Sequence, residues 1–336
     1  MNPSHALWRG AVLAAALTSA AVWAEPTVEP QPPSSLTTRV TEFVSYKKQG
    51  DPVVLIPPAQ AAGAGGKNSY RLIADISYLG EDYPERADLY LPLGEDQIYP
   101  AILDIHGGGW LIGDKTWQRV NAGVMVSRGF AVFTINYLLG RRPTGKVKDQ
   151  GGWPRNLLDC KTALRFMRAY ADKLHIDPNR IAVSGQSAGG HLALLTGLSA
   201  NLPEYRDGFY QGQSEHVSAI VNFYGVTDLR LWGANALFSE WDRADTRILS
   251  LASPVDLVVK ASPPILTLHG GADKMVDFKH AESLDAAARK HGAPHELIML
   301  EGASHGFKIV PDKNNGKRDL TDDVVRFLEK HLGGNR

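Results

Sequence analysis

The chain has 336 residues, 43% hydrophobic and 21% charged, with 36 Lys plus Arg balanced by 36 Asp plus Glu. That length suits one large α/β domain or two small ones, and a formal net charge of zero removes the long-range field of a nucleic-acid binder or a polybasic membrane protein. The single cysteine, Cys160, excludes an internal disulfide and any cysteine-rich metal site.

Residues 1–24 read as a signal peptide: Arg9 gives the positive start, residues 11–22 the short apolar core, and Ala24 the small residue before cleavage. The mature chain is therefore expected to be periplasmic or secreted, without stable membrane association. Residues 25–69 are rich first in Pro, Ser and Thr, then in Ala, Gly and Pro, a composition that cannot order itself independently. Within them, residues 41–46 suit a short strand or docking segment. The packed domain is expected to span 70–336.

Residues 71–78 and 87–91 alternate like strands, and 99–105 form a continuous apolar strand ending at His106. A helix is predicted over 120–128, a strand over 130–137, a polar loop over 141–152 and a long helix over 155–175. A turn at 177–180 precedes a buried strand at 181–183 and a helix at 192–198. Strands at 219–224, 264–268 and 296–300 then alternate with helices at 279–291 and 321–332. Antiparallel strands followed by this alternation predict an α/β fold: one mixed, mainly parallel sheet with helices on both faces. Residues 201–216 and 229–259 break the alternation and read as small cap insertions at the strand ends where α/β proteins bind ligands. The second insertion carries Trp232, Phe238 and Trp241. Trp110, Trp232 and Trp241 are candidate walls of a substrate pocket.

Chemistry concentrates in four places. Gly185-Gln186-Ser187-Ala188-Gly189 is G-x-S-x-G between a strand and a helix, where glycines permit a turn sharp enough to expose a serine hydroxyl. Serine is a poor nucleophile without a positioned base, and the base needs an orienting acid. His305 stands in a Gly/Ser loop after the last strand, and Asp273 follows the strand before it. Asp277 comes a turn too late, whereas Asp228 and Asp256 come too early. His106-Gly107-Gly108-Gly109-Trp110 offers backbone amides unobstructed by side chains, so Gly108, Gly109 and Ala188 are candidate oxyanion donors. No G-K-[ST] follows, which rules out a phosphate loop. Among the other histidines, His106 is expected to orient its loop, His191 to pack, and His269 to shape the acid turn. His280, His291 and His295 are expected at the surface or as caps. Without HExxH, clustered Cys/His or a dinucleotide fingerprint, no metal or cofactor is inferred.

These motifs together resemble the α/β-hydrolase superfamily, and within it the carboxylesterases with an H-G-G-G-W loop. The nearest group includes bacterial acetylxylan and feruloyl esterases; hormone-sensitive-lipase-like esterases are more distant. The similarity runs from about Asp75 to Leu332 and includes Asp177-Pro-Asn-Arg-Ile-Ala-Val183 and Gly189-Gly-His-Leu-Ala193. The chain departs from the distant group at Gln186, where an acidic residue is usual, and in lacking a longer N-terminal cap. The resemblance implies a Ser187–His305–Asp273 carboxylesterase acting on short or aromatic acyl esters, small or polysaccharide-linked. Two alternatives remain open on the sequence: amide hydrolysis, as in an arylformamidase or small exopeptidase, and a non-catalytic binding protein on the same fold.

Overall fold

The structure, a computed structural model, describes residues 51–52, 54–57, 59–62, 69–94, 97–140, 152–200, 202–232 and 246–333. They lie within one compact unit, Ser34–Arg336. The strands are β1 (Gln60–Ala62), β2 (Tyr70–Ile76), β3 (Ala87–Leu91), β4 (Tyr99–Ile105), β5 (Ala131–Ile135), β6 (Ile176–Gln186), β7 (Ala219–Phe223), β8 (Ile265–Gly270) and β9 (His295–Leu300). They form one sheet in the order β1-β2-β3-β5-β4-β6-β7-β8-β9, antiparallel from β1 to β5 and parallel from there on.

Every residue of β3, β4, β5 and β7 is buried, because helices cover both faces of the sheet. The principal helices are α1 (Arg119–Val126), α2 (Arg155–Ala169), α3 (Ala188–Leu198), α4 (Lys279–His291) and α5 (Thr321–Leu332). On one face Leu89, Leu103 and Ile105 share a core with Leu164 and Phe166 of α2 and Leu192 of α3. On the other, Ile102, Val132 and Val221 meet Met125 of α1 and Phe327 and Leu328 of α5. The leucine- and alanine-rich α3 is buried almost all round and crosses the middle of the molecule. By contrast, α4 buries only His280, Ala281, Leu284 and Ala288, and ends where Gly292 turns left-handed at φ 68°.

Three boundaries differ from expectation. The helix predicted over 155–175 stops at Ala169; a separate turn, Ala171–Leu174, follows, and His175 at φ 55° redirects the chain into β6. The turn predicted at 177–180 is an irregularity inside β6, held by Asp177, which accepts from Asn179 N–H at 2.9 Å and from Arg180 at 2.7 Å. The domain also begins before residue 70. Leu55 N–H donates to Ser77 Oγ at 2.6 Å, Val54 and Ile56 pack on the core, and β1 pairs with β2. The segments 1–24 and 41–46, the loop 141–151, and Phe238 and Trp241 fall outside the described residues.

The first insertion is clamped to α2. Lys161 Nζ lies 2.7 Å from Glu215 and 2.9 Å from Ser199 O, and Arg165 pairs with the same Glu215 and donates to Phe209 O at 2.7 Å. Buried charges are tolerated there because each is matched by an opposite charge or a carbonyl.

Candidate active site

β6 ends at Gln186 and α3 starts at Ala188, which leaves Ser187 alone in the turn at φ 55°, ψ −119°. A β-carbon resists that conformation, at a cost of about 1–3 kcal/mol. Ser187 is held in it by its own N–H bonding to Phe223 O at 2.9 Å and by its carbonyl accepting from His191 N–H at 3.0 Å. The flanking glycines are sterically required. A β-carbon on Gly185 would lie 2.2 Å from Gly189 O, and one on Gly189 would lie 2.1 Å from Ile105 O.

His305 reaches the elbow from the loop after β9. Its Nε2 lies 3.0 Å from Ser187 Oγ, and its Nδ1 lies 2.7 Å from Asp273 Oδ2. With Nδ1–H donating to the carboxylate, Nε2 presents a lone pair to the hydroxyl. Asp273, in the turn after β8, accepts at its other oxygen from the N–H groups of Met275 and Val276, both at 2.9 Å. Burial works to raise the Asp273 carboxyl, but the His305 hydrogen bond, the two amides and the His305 charge outweigh it and hold it below the ordinary carboxylate value. His269 closes the same turn, its Nε2 bonding to Val276 O at 2.8 Å.

The parallel register sets Ile105 of β4 beside Gly185 of β6, so the glycine loop leaves the sheet next to the elbow. A β-carbon on Gly107 would lie 3.3 Å from Ser187 Cβ. Gly108 (φ 114°) and Gly109 (φ 60°) both need glycine's freedom, and their N–H groups donate to no carbonyl among the described residues. Space beside Gly109 is open for 4 Å. Amides left without a carbonyl partner beside a serine are the kind of donor that can stabilise an oxyanion.

The loop is held from outside. Lys115 Nζ sits between Asp88 at 2.7 Å and Asp75 at 3.0 Å; its N–H donates to Asn136 at 2.6 Å, and Gln118 bonds to Ile105 O at 3.1 Å. His106 stacks on Tyr137 with ring centroids 4.4 Å apart, in the orienting position expected of it. Burial lowers the imidazoles of His106, His191 and His280 to about 4, so none of the three gains charge near neutral pH.

Several expectations are corrected. Trp110 is wholly buried, edge-on to His191 at 5.2 Å and to Trp232 at 6.2 Å, because positive φ at Gly108, Gly109 and Trp110 itself turns the indole inward. It therefore offers no face to a ligand, while Trp232 is half-buried. His280 is a core residue whose Nδ1 accepts from Thr227 N–H at 3.3 Å. His295 bridges Asp285 at 3.1 Å and Thr267 at 2.9 Å. One residue escaped sequence reading: Tyr224, at φ 41° just after β7, donates its hydroxyl to Phe307 O at 3.0 Å and sets its ring 4.8 Å from the His305 ring.

The BD-FAE family model matches residues 87–288, more than half of the chain. The chain belongs to the BD-FAE family. This BD-FAE chain is 32% identical over 234 residues to "Esterase LipC" of Mycobacterium tuberculosis, covering 65% of itself and 55% of the relative, so it spans about half the length of that protein. Among solved structures it is similar to a truncated carbohydrate esterase from gut microbiota, with a TM-score of 0.67 at 24% identity over 81% of this chain and 99% of that one. It is also similar to an acetyl ester-xyloside bifunctional hydrolase from Caldicellulosiruptor lactoaceticus, with a TM-score of 0.62 at 26% identity over 82% and 97%. The BD-FAE chain thus has the α/β-hydrolase fold.

Proposed function

We propose that the chain is an exported serine carboxylesterase that removes short acyl groups from carbohydrate hydroxyls. The observation that carries this reading is the continuous relay from Asp273 through His305 to Ser187 Oγ, with bonds of 2.7 Å and 3.0 Å, beside glycine amides that meet no carbonyl among the described residues. Ser187 Oγ attacks the ester carbonyl as His305 Nε2 takes its proton. Negative charge forming on the carbonyl oxygen meets the amides of Gly108, Gly109 and Ala188, already oriented by the pinned loop and the start of α3. His305 returns the proton to the leaving alcohol, Asp273 stabilises the imidazolium, and water then releases the acid by the same steps. The signal-like residues 1–24 support export, and the names of the similar structures support a carbohydrate ester.

Ser187→Ala should lower kcat for p-nitrophenyl acetate by about 10⁴- to 10⁶-fold, and a fluorophosphonate should label the parent at Ser187 alone. Retention of most turnover in the variant would end this reading. A panel of acetylated xylan, methyl ferulate and p-nitrophenyl esters of graded chain length tests the acyl and alcohol preference.

A further inference from the structure

We infer that Tyr224 is the positioning residue of the base: through the main chain at Phe307 and the imidazole itself, it keeps His305 within reach of Ser187. The inference rests on the serine-hydrolase reading and assigns the group that holds its base in place.

His305 stands in a stretch that its own backbone scarcely secures. Before it, Ser304 N–H donates to Asn314 O at 2.9 Å; after it, Lys308 N–H donates to Asp312 Oδ2 at 3.1 Å. Between these anchors, among the described residues, no N–H of His305, Gly306 or Phe307 donates to a backbone carbonyl. Gly306, at φ 78°, adds a freely turning link. Its carbonyl accepts one long bond, from Asn314 Nδ2 at 3.4 Å, whereas Phe307 O accepts the Tyr224 hydroxyl at 3.0 Å. The phenol is thus the shorter of the two ties on this stretch. The Tyr224 ring adds a second hold, its centroid 4.8 Å from that of His305 and 4.6 Å from that of Phe307, steeply inclined to both.

Tyr224 can serve as an anchor because its own backbone is fixed to the other two catalytic elements. The preceding carbonyl, Phe223 O, accepts Ser187 N–H at 2.9 Å, and Tyr224 N–H donates at 2.8 Å to Leu268 O of β8, the strand that leads into the Asp273 turn. Beyond it, Gly225 N–H donates to Asn222 Oδ1 at 3.0 Å, and a β-carbon on Gly225 would lie 2.9 Å from His191 N, so the chain presses on the start of α3. One step of backbone therefore touches the serine turn, the acid's strand and the base's loop. Tyrosine at φ 41° costs about 1–3 kcal/mol, and phenylalanine would fill the same space without reaching Phe307 O. Burial raises the phenol above its ordinary value, which keeps it protonated and able to donate.

The consequence falls on the proton transfers. Nε2 must lie within hydrogen-bond reach of the proton it takes, and a misplacement of about 1 Å can cost on the order of a hundredfold. Ground-state binding of the ester makes no such demand, so the effect of Tyr224 belongs in kcat and not in KM.

The test compares the parent with Tyr224→Phe, Tyr224→Leu and Tyr210→Phe, each shown by urea unfolding to be folded under assay conditions. For p-nitrophenyl acetate, kcat should fall about three- to tenfold in Tyr224→Phe and about ten- to a hundredfold in Tyr224→Leu, with KM little changed. Phosphonylation of Ser187 by a fluorophosphonate, which needs the same base, should slow by similar factors. Tyr210→Phe removes another buried phenol-to-carbonyl bond, that to Tyr78 O at 3.1 Å, and should leave both rates unchanged. Tyr224→Phe decides alone if Tyr224→Leu does not fold. Unchanged kcat in Tyr224→Phe, a loss carried by KM, undiminished phosphonylation, or an equal loss in Tyr210→Phe would overturn the positioning role. Any of these in a parent that labels at Ser187 and hydrolyses esters leaves the hydrolase reading intact. A parent that neither labels nor hydrolyses any ester removes both.

Discussion

Two aspartates lie at nearly the same depth, Asp273 in the turn after β8 (7% exposed) and Asp104 inside the sheet (4%), and their carboxyls shift in opposite directions. Asp273 meets an imidazole and two amides and is held ionised, below its ordinary value. Asp104 lies beside a cavity of about 20 Å³ lined by Ser184, Asn121, Phe223 and Leu328. Burial pushes it up to about 7 against the weaker pull of Ser184, the Ile105 amide and Gln118, and one of its oxygens has no hydrogen-bond partner among the described residues. Depth alone does not decide charge; the donors aimed at the carboxylate do. Falling and rising pH therefore act on different carboxylates. Asp273 contributes stability that is present above its unfolded value and lost as pH falls through its lower folded one. Asp104 contributes stability that is present below about 4 and lost as pH rises toward about 7.

The sharpest way to break this contrast is Asp273→Asn, which keeps shape but removes the charge that orients His305. It should lower kcat by about 10³- to 10⁴-fold at neutral pH, measured on p-nitrophenyl acetate; a loss below tenfold would mean the carboxylate does not act through His305. Glu215→Ala extends the contrast to an acid buried against two cations. Stranding Lys161 and Arg165 should cost about 3–5 kcal/mol in urea unfolding, whereas a change under 1 kcal/mol would show the cluster to be solvated. Asp104→Asn should flatten the stability curve between about pH 4 and 7, where this group contributes a slope of at most about 1.4 kcal/mol per pH unit. Parallel curves for variant and parent would remove Asp104 from the account. Tyr224 lies between the two acids, and burial raises its phenol, so it stays neutral. Tyr224→Phe releases the loop carbonyl at Phe307 while keeping the ring against His305. It should reduce kcat by about three- to tenfold with little change in KM.

That Ser187, His305 and Asp273 come together could be read ahead because chemistry restricts both their types and their surroundings. A serine between strand and helix, flanked by glycines whose β-carbons would collide, has few other readings. Tyr224 carried no such signal: its role depends on a positive φ and on a bond to Phe307, remote in the sequence. Trp110 misled for a related reason, since an aromatic after three glycines reads as a lip until the backbone turns it inward. The pairing before residue 70 was hidden because β1 is a three-residue edge strand in an Ala/Gly/Pro-rich stretch, too short to show a period.

His305 also follows β9, the strand at the margin of the sheet opposite β1. As a nascent chain lengthens, Ser187 and its elbow emerge well before the imidazole that activates them. Until the segment after the final strand docks, Ser187 has no imidazole at hydrogen-bonding distance.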